Sequence, residues 1–270
     1  MIRIKCLINM YGISWGKILN CLISLPIVIF LNYLASNIAY SEQGFFCNDD
    51  EIYYPFREDT VSSKLISRIN KIITIVVVIM GETFLYYLKK NEGNRKILIR
   101  NVVFFLLIFY IGDMALEGTG NMGKRVVSRL RPNYIAVCQP ENMEKICPEG
   151  VYSQKYVSNY TCLGSSDPDE HYAFPSGHSS HSSYMAFIIT FYLQYRTPYL
   201  WGVVKHFIQL LVVALSIFVP LSRVHDFKHR LSDISGGFLL GILFGYGIIY
   251  LVLGGFKKKF EKLDNNYYSF

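Results

Sequence analysis

The sequence predicts an all-α fold, a six-helix integral membrane bundle whose chemistry-bearing loops lie on the exoplasmic face. Three observations predict it. The 270 residues are 51% hydrophobic and only 17% charged, with a positive mean hydropathy, too apolar for a soluble domain of this size. The apolar residues are gathered into six blocks of roughly the 17–25 residues that cross a bilayer core as a helix. The basic residues flank alternate blocks, as they do in multi-pass membrane proteins.

The blocks run near Ile18–Ile38, Ile72–Leu88, Asn101–Leu116, Ser183–Tyr195, Phe207–Leu221 and Ile234–Leu253. Backbone N–H and C=O groups in lipid must be paired within the segment, so each reads as a helix. The first and last are the clearest, while the fourth and fifth are short and extend into their flanks. The first starts too late, runs too long and lacks the small-x-small site of a cleaved signal peptide, and reads as a retained span. No repeat or second domain interrupts the chain, which reads as one membrane domain over 1–270. The longest connecting stretch, Gly120–Tyr172, is too short for a core of its own.

Charge sets the topology. Arg3, Lys5 and Lys17 precede the first block. Lys89, Lys90, Arg95, Lys96 and Arg100 crowd the link between the second and third, Arg196 and Lys205 flank that between the fourth and fifth, and Lys257, Lys258, Lys259 and Lys262 follow the last. With six spans, all fall on one side, which the positive-inside rule makes cytosolic. The net charge of +7 is thus divided among membrane flanks, which argues against nucleic-acid binding. The opposite side receives the acidic first loop, with Glu42, Asp49, Asp50, Glu51, Glu58 and Asp59. It also receives the glycosylation sequon at Asn159 and four of the six cysteines, Cys47, Cys138, Cys147 and Cys162. Disulfides survive there. Four cysteines allow three pairings; Cys147 with Cys162 would close a small loop around the sequon.

Three short patterns fall on that same face. Lys124 is followed by Arg131-Pro132; then comes Pro175-Ser176-Gly177-His178; then Ser222-Arg223, followed by His229 and Asp233. Arg binds two oxygens of a phosphate dianion at once and Lys adds a point charge. Gly177 lets backbone approach an anion. Ser176 to His178 would sit at the N-terminus of the fourth helix, where unpaired N–H groups attract anions. Lys124 and Arg131, seven apart, would share a helix face. His229 and Asp233, four apart on a helix, would bring the carboxylate to the imidazole and leave the other ring nitrogen free to attack phosphorus. His178 is then available to protonate the departing alcohol. Three cations would stabilise the transferring group, and no carboxylate cluster suggests a metal, so neither metal nor cofactor is expected.

Each pattern has a plain alternative. Lys124, Arg125, Arg129 and Arg131 could only touch lipid headgroups, and a Ser-Gly pair before a helix could only cap it. Basic residues on the exoplasmic side nevertheless run against the charge rule, and three spacings converge on one face. Asp113 and Glu117 lie on the face of Lys124 and would pair with it or line a wet cavity. Glu82 inside the second span reads as functional or snorkelling. His171, His181 and His225 flank the patterns without matching them and read as structural or interfacial.

The three patterns together resemble the signature of the type 2 phosphatidic acid phosphatase superfamily, and within it the animal lipid phosphate phosphatases. Gly44 to Asp49 and Tyr54-Pro55-Phe56 in the first loop resemble that branch too, and the likeness spans nearly the whole chain. It implies an exoplasmic, magnesium-independent membrane phosphatase acting on phosphatidate, lysophosphatidate, sphingosine 1-phosphate and ceramide 1-phosphate. His229 would be nucleophile, Asp233 its partner, His178 the acid, and Lys124, Arg131, Ser176, Gly177 and Arg223 the phosphate binders. One departure is Ser128, where the family usually has Gly. A related polyprenyl-diphosphate or sugar-phosphate phosphatase, a headgroup transferase, and a non-enzymatic lipid-phosphate-binding protein are the alternatives. Expected partners are the lipid phosphate and membrane lipids, with a homo-oligomer allowed. The plasma membrane or an internal membrane is the expected location.

Overall fold

Long unbroken runs of apolar residues become long helices. The computed structural model describes residues 13–88, 95–148, 154–197 and 202–253. Among these the long helices are α1 (Trp15–Ser36), α2 (Ser63–Leu88), α3 (Arg95–Val127), α6 (Gly177–Tyr195), α7 (Val203–His225) and α8 (Leu231–Tyr246), the last continued by a π-helical turn, Gly247–Val252. Two short helices, α4 (Tyr134–Cys138) and α5 (Met143–Ile146), lie between α3 and α6. Each expected block falls on a long helix, and α2, α3, α6 and α7 run several residues past the apolar core. The basic residues Arg3, Lys5, Lys89, Lys90, Lys257, Lys258, Lys259 and Lys262, and Cys6, lie outside the described residues.

Five of these helices are long and apolar enough to cross a membrane; α6 does not meet that requirement. The reason is its position. Its first turns carry Ser179, Ser180, Ser182 and Ser183, all buried, because α6 is the central helix, packed against α7 and α8 and also touching α2 and α3. A helix that faces protein need not be apolar all round. The serines spend their hydroxyls on helix carbonyls: Ser179 donates to Ile234 and Ser183 to Phe238, both on α8. Opposite them α8 presents Gly237 and Gly241, where an added Cβ would lie within 2.3 Å of the Ser176 and Ser180 carbonyl oxygens. Small residues at such a crossing let two backbones approach closely in lipid. Lower down, the packing turns aromatic, with Phe105, Phe109 and Tyr192 edge to face and the Tyr184 hydroxyl donating to the Phe109 carbonyl.

Glu82 is neither snorkelling nor facing a cavity. Its carboxylate accepts from Arg196 Nε and Nη2 at 2.8 and 2.9 Å, from the Tyr192 hydroxyl at 3.1 Å and from the Asn101 amide at 3.1 Å. It ties α2, α3 and α6 together at the end of the bundle that carries the Arg196 and Lys205 flanks.

The opposite end carries a cap built jointly from the first loop and the α3–α6 connection. Strand β1 (Phe45–Phe46) pairs antiparallel with β2 (Tyr156–Val157). Phe45, Ile52, Leu130, Tyr134 and Val157 form a small core there. Neither stretch could bury it alone, but together they do. The disulfides are Cys47–Cys147 and Cys138–Cys162, not the expected Cys147–Cys162. The short loop around the sequon stays open, and Cys47–Cys147 instead staples the first loop to the connection, 100 residues away in sequence. Asn159 follows β2 and is exposed.

Candidate functional site

All three sequence patterns meet beneath this cap. Lys124, Arg131, Gly177, His178, Arg223 and His229 line one cavity of about 800 Å³. Ser176 and Asp233 are fully buried behind its wall.

Lys124 and Arg131 reach it differently from the expectation of one helix face. Helix α3 ends at Val127, and Ser128 adopts the left-handed conformation, φ 46°, a turn that ends helices and favours glycine. The Ser128 side chain compensates by donating to Arg125 O at 2.6 Å and accepting from the Ser41 amide at 3.1 Å. The chain then runs back alongside residues 170–173, with Arg131 N–H donating to Glu170 O and Ala173 N–H to Arg129 O, each at 3.0 Å. Arg131 is therefore placed by a turn and a backbone pairing, and Lys124 by the last turn of α3.

Ser176 is the N-cap of α6, yet its side chain makes no capping bond, and its buried hydroxyl has no hydrogen-bond partner. The first N–H groups of a helix have no partner within it and carry the positive end of its dipole. Here they open beside the cationic side chains. A Cβ on Gly177 would come 3.5 Å from Lys124 Nζ, an ordinary contact, so the ammonium lies directly against the first turn of α6.

The third pattern is folded by a tight turn after α7. The Arg223 carbonyl accepts from both Lys228 N–H and His229 N–H, which brings guanidinium and imidazole to the same wall. His229 precedes α8 instead of lying on it, because α8 begins at Leu231. Its Nδ1 lies 2.8 Å from the Ala173 carbonyl and 3.9 Å from Asp233 Oδ2. A carbonyl can only accept, so Nδ1 carries the proton and Nε2 keeps its lone pair. Burial, reinforced by the charges of Arg131 and Arg223, holds the imidazole well below its ordinary pKa. At 3.9 Å from a neutral ring, Asp233 is a nearby charge and not a hydrogen-bond partner. It instead accepts from the Arg230 backbone N–H and from Arg129 Nη1, both at 2.8 Å. The expected orienting role thus passes from Asp233 to a backbone carbonyl, with the same consequence for the free nitrogen.

His178 Nε2 lies 3.0 Å from the Val61 carbonyl of the first loop. Arg223 Nη1 approaches the same oxygen at 3.3 Å and pairs with Asp59 at 2.9 Å; Arg131 pairs with Asp169 at 2.5 Å. Both guanidinium groups still hold a buried Nε without a partner. Buried donors left unpaired are uncommon and call for a reason; an anion entering the cavity supplies one. Asp59 and Asp169 carry no signal in the sequence, since one sits in an acidic loop and the other beside Asp167 and Glu170.

Arg129 has a place the sequence did not single out. Its side chain holds Asp233 and Ser232, and its carbonyl holds the Ala173 amide. Of the four basic residues 124 to 131, only Lys124 and Arg131 line the cavity, while Arg125 donates to Ile38 O.

Fold and site together define a bundle of long apolar helices that gathers cations, two histidines and a helix N-terminus around one cavity. The chain belongs to the PAP2 superfamily, whose profile matches residues 101–256. It is 33% identical over 242 residues to rat phospholipid phosphatase 1 (Rattus norvegicus), covering 87% of this chain and 83% of the relative. It is 30% identical over 241 residues to mouse phospholipid phosphatase 2 (Mus musculus), covering 87% and 84%. A putative phosphatidate phosphatase of Drosophila melanogaster is 29% identical over 221 residues, 74% of this chain and 58% of that protein. No solved structure matches the chain.

Proposed function

We propose that the chain is a six-span lipid phosphatase, a single domain over 1–270, that removes the phosphate of lipid phosphate monoesters at the exoplasmic or luminal membrane face. Phosphatidate, lysophosphatidate, sphingosine 1-phosphate and ceramide 1-phosphate are its substrate class. The observation that carries the reading is His229: a buried imidazole lining the cavity, with Nδ1 bound to Ala173 O and Nε2 kept unprotonated beside Arg131 and Arg223. Membership of the PAP2 superfamily and likeness to proteins named phospholipid phosphatases support it.

In the first step Nε2 attacks phosphorus, an N–P bond forms and the ester P–O bond breaks. Burial and the charge of Arg223 hold the His178 pKa down to about 4; the entering phosphate dianion offsets that charge and the ring binds a second proton. The imidazolium then gives its Nε2 proton, shared until then with the Val61 carbonyl, to the leaving alkoxide and ends neutral. Lys124, Arg131, Arg223 and the N-terminus of α6 carry the equatorial oxygens, with the unpartnered Ser176 hydroxyl behind them at the N-cap, so transition-state charge is met by fixed donors. Asp233 steadies the cationic ring of the phosphohistidine. In the second step water gives a proton to His178 as its oxygen attacks phosphorus, the N–P bond breaks, and phosphate leaves. No metal takes part. The cap with its disulfides and the exposed Asn159 sequon fits the oxidising face, with the plasma membrane the favoured site.

The test is phosphate release from phosphatidate in detergent micelles with excess EDTA, comparing wild type with His229→Ala. Release that survives EDTA and vanishes in the variant is expected. Release lost to EDTA, or retained by the variant, overturns the mechanism.

A further inference from the structure

Two arginines of the site each face two carboxylates, and the two carboxylates of a pair differ in where they lie. Arg223 Nη1 is 3.5 Å from Asp226 and 2.9 Å from Asp59. Asp226 is buried and outside the cavity lining. It also accepts from the Thr60 amide at 2.8 Å and the Thr60 hydroxyl at 2.6 Å, so the fold fixes its place. Asp59 is one-third exposed and lines the cavity. Arg131 repeats the arrangement. Glu170 is buried, faces Arg131 and Lys228, and lies outside the lining. Asp169 is half-exposed, pairs with Arg131 Nη2 and lines the cavity.

A buried guanidinium needs a counter-charge, and Asp226 and Glu170 already supply one to each arginine. Asp59 and Asp169 are surplus to that need. They sit on the cavity side and take up N–H groups that a phosphate oxygen would otherwise accept from. A carboxylate and a phosphate dianion on one guanidinium repel each other, so one must give way. Both aspartates reach solvent, so neither strands a buried charge when it does.

We infer that Asp59 and Asp169 are competing anions that close on Arg223 and Arg131 as phosphate leaves and keep the affinity of the site for free phosphate low. The inference rests on the phosphatase reading above. A lipid phosphate gains further binding from the apolar part of the cavity, between α2, α3 and α6, and so displaces the aspartates. Inorganic phosphate has only the headgroup site to hold it. The two carboxylates thus select esterified phosphate over the free product.

The experiment measures inhibition of phosphatidate hydrolysis by inorganic phosphate, in micelles, for wild type, Asp59→Asn, Asp169→Asn and Asp59→Glu. Asparagine keeps the shape and removes the charge. The segment around Asp59 stays anchored through Thr60 and through Arg57, which donates to the His225 carbonyl at 3.0 Å. Each Asn variant should lower the inhibition constant about tenfold, the scale of one charged hydrogen bond, and Asp59→Glu should hold it near the wild-type value. An unchanged constant in either Asn variant overturns the role of that aspartate. So does a raised constant, the result a misplaced arginine would give. The second readout is the rise in Tm on adding inorganic phosphate, which needs no turnover. It should be larger in both Asn variants than in wild type, and an equal or smaller rise overturns the inference. Wild type that hydrolyses no lipid phosphate would sink the phosphatase reading alone, because the Tm comparison still decides between competing and merely structural aspartates.

Discussion

The two ends of the bundle both bury charge, and they bury it to opposite effect. At the Arg196 end, Glu82 is surrounded: both carboxylate oxygens accept two bonds each, from α3 and α6. At the capped end, Arg131 and Arg223 each pair with a loop aspartate and still hold a buried Nε without a partner, as does the Ser176 hydroxyl. A carboxylate whose oxygens are already taken has nothing left to offer a ligand and serves as a tie between helices. A cluster whose donors exceed its acceptors is poised for an anion. Composition cannot tell the two apart, because each is a few charged residues in an apolar chain.

Breaking the closed end should give the largest effect, and it should be on stability. In Arg196→Met, Glu82 keeps only neutral donors in a site where it is 1% exposed. Removing one partner of a buried pair costs about 3–5 kcal/mol, so Tm in detergent should fall sharply and activity should fall only in step with the folded fraction. Pairing it with Glu82→Gln should recover much of the loss. A single variant as stable as wild type would mean that the cluster is not a structural tie.

Breaking the open end should spare stability and remove catalysis. Arg131 is partnered by Asp169, which is 55% exposed, and the buried Glu170, which it also faces, keeps Lys228 as a second cation, so Arg131→Ala strands no unpartnered charge, and a half-exposed pair contributes about 1 kcal/mol or less. The loss of one fixed donor to the transferring phosphoryl group should lower kcat/KM about 100-fold or more. The sign of the pH effect follows from His229. Arg131 helps to hold that imidazole below its ordinary pKa. Without Arg131 the ring protonates more readily, so the acid limb of the activity profile should move to higher pH. An unmoved limb would separate Arg131 from His229, and a large fall in Tm would erase the contrast between the two ends.

The positions of the long helices were readable because a bilayer imposes length and apolarity on every span. Gathering of the three patterns at one end followed from counting basic flanks. The buried serine face of α6 was less readable, since a helix enclosed by others is released from the apolar requirement. Cysteine pairing was not readable, because β1 and β2 bring Cys47 near Cys147 through contacts that neither loop encodes alone. Nor was the partner of His229: the spacing to Asp233 suggested a helical contact, but the helix starts two residues too late, and the acceptor is a backbone carbonyl, which every residue has and no sequence advertises.

Arg129 joins these threads and gives the smallest and sharpest expected effect. It lies outside the cavity lining, 34% exposed, so it should touch neither phosphate nor lipid. Yet it braces His229 from two directions, through its side chain on Asp233 at 2.8 Å and through its carbonyl on the amide of Ala173, whose own carbonyl holds the imidazole. Substitution leaves the backbone contact and removes the side-chain one. Asp233 then keeps the Arg230 N–H but loses the cation that fixes its second oxygen. Misplacement of the charge that steadies the cationic phosphohistidine ring is felt in the chemical step and not in substrate binding. Arg129→Ala should therefore lower kcat about tenfold with KM nearly unchanged, a scale set by one charged hydrogen bond. Arg129→Lys, which keeps the charge but offers no planar fork, should recover part of the loss. A headgroup contact would give the reverse pattern, with KM rising, kcat holding, and Lys serving as well as Arg. The split between kcat and KM thus decides whether this arginine belongs to the nucleophile or to the membrane surface.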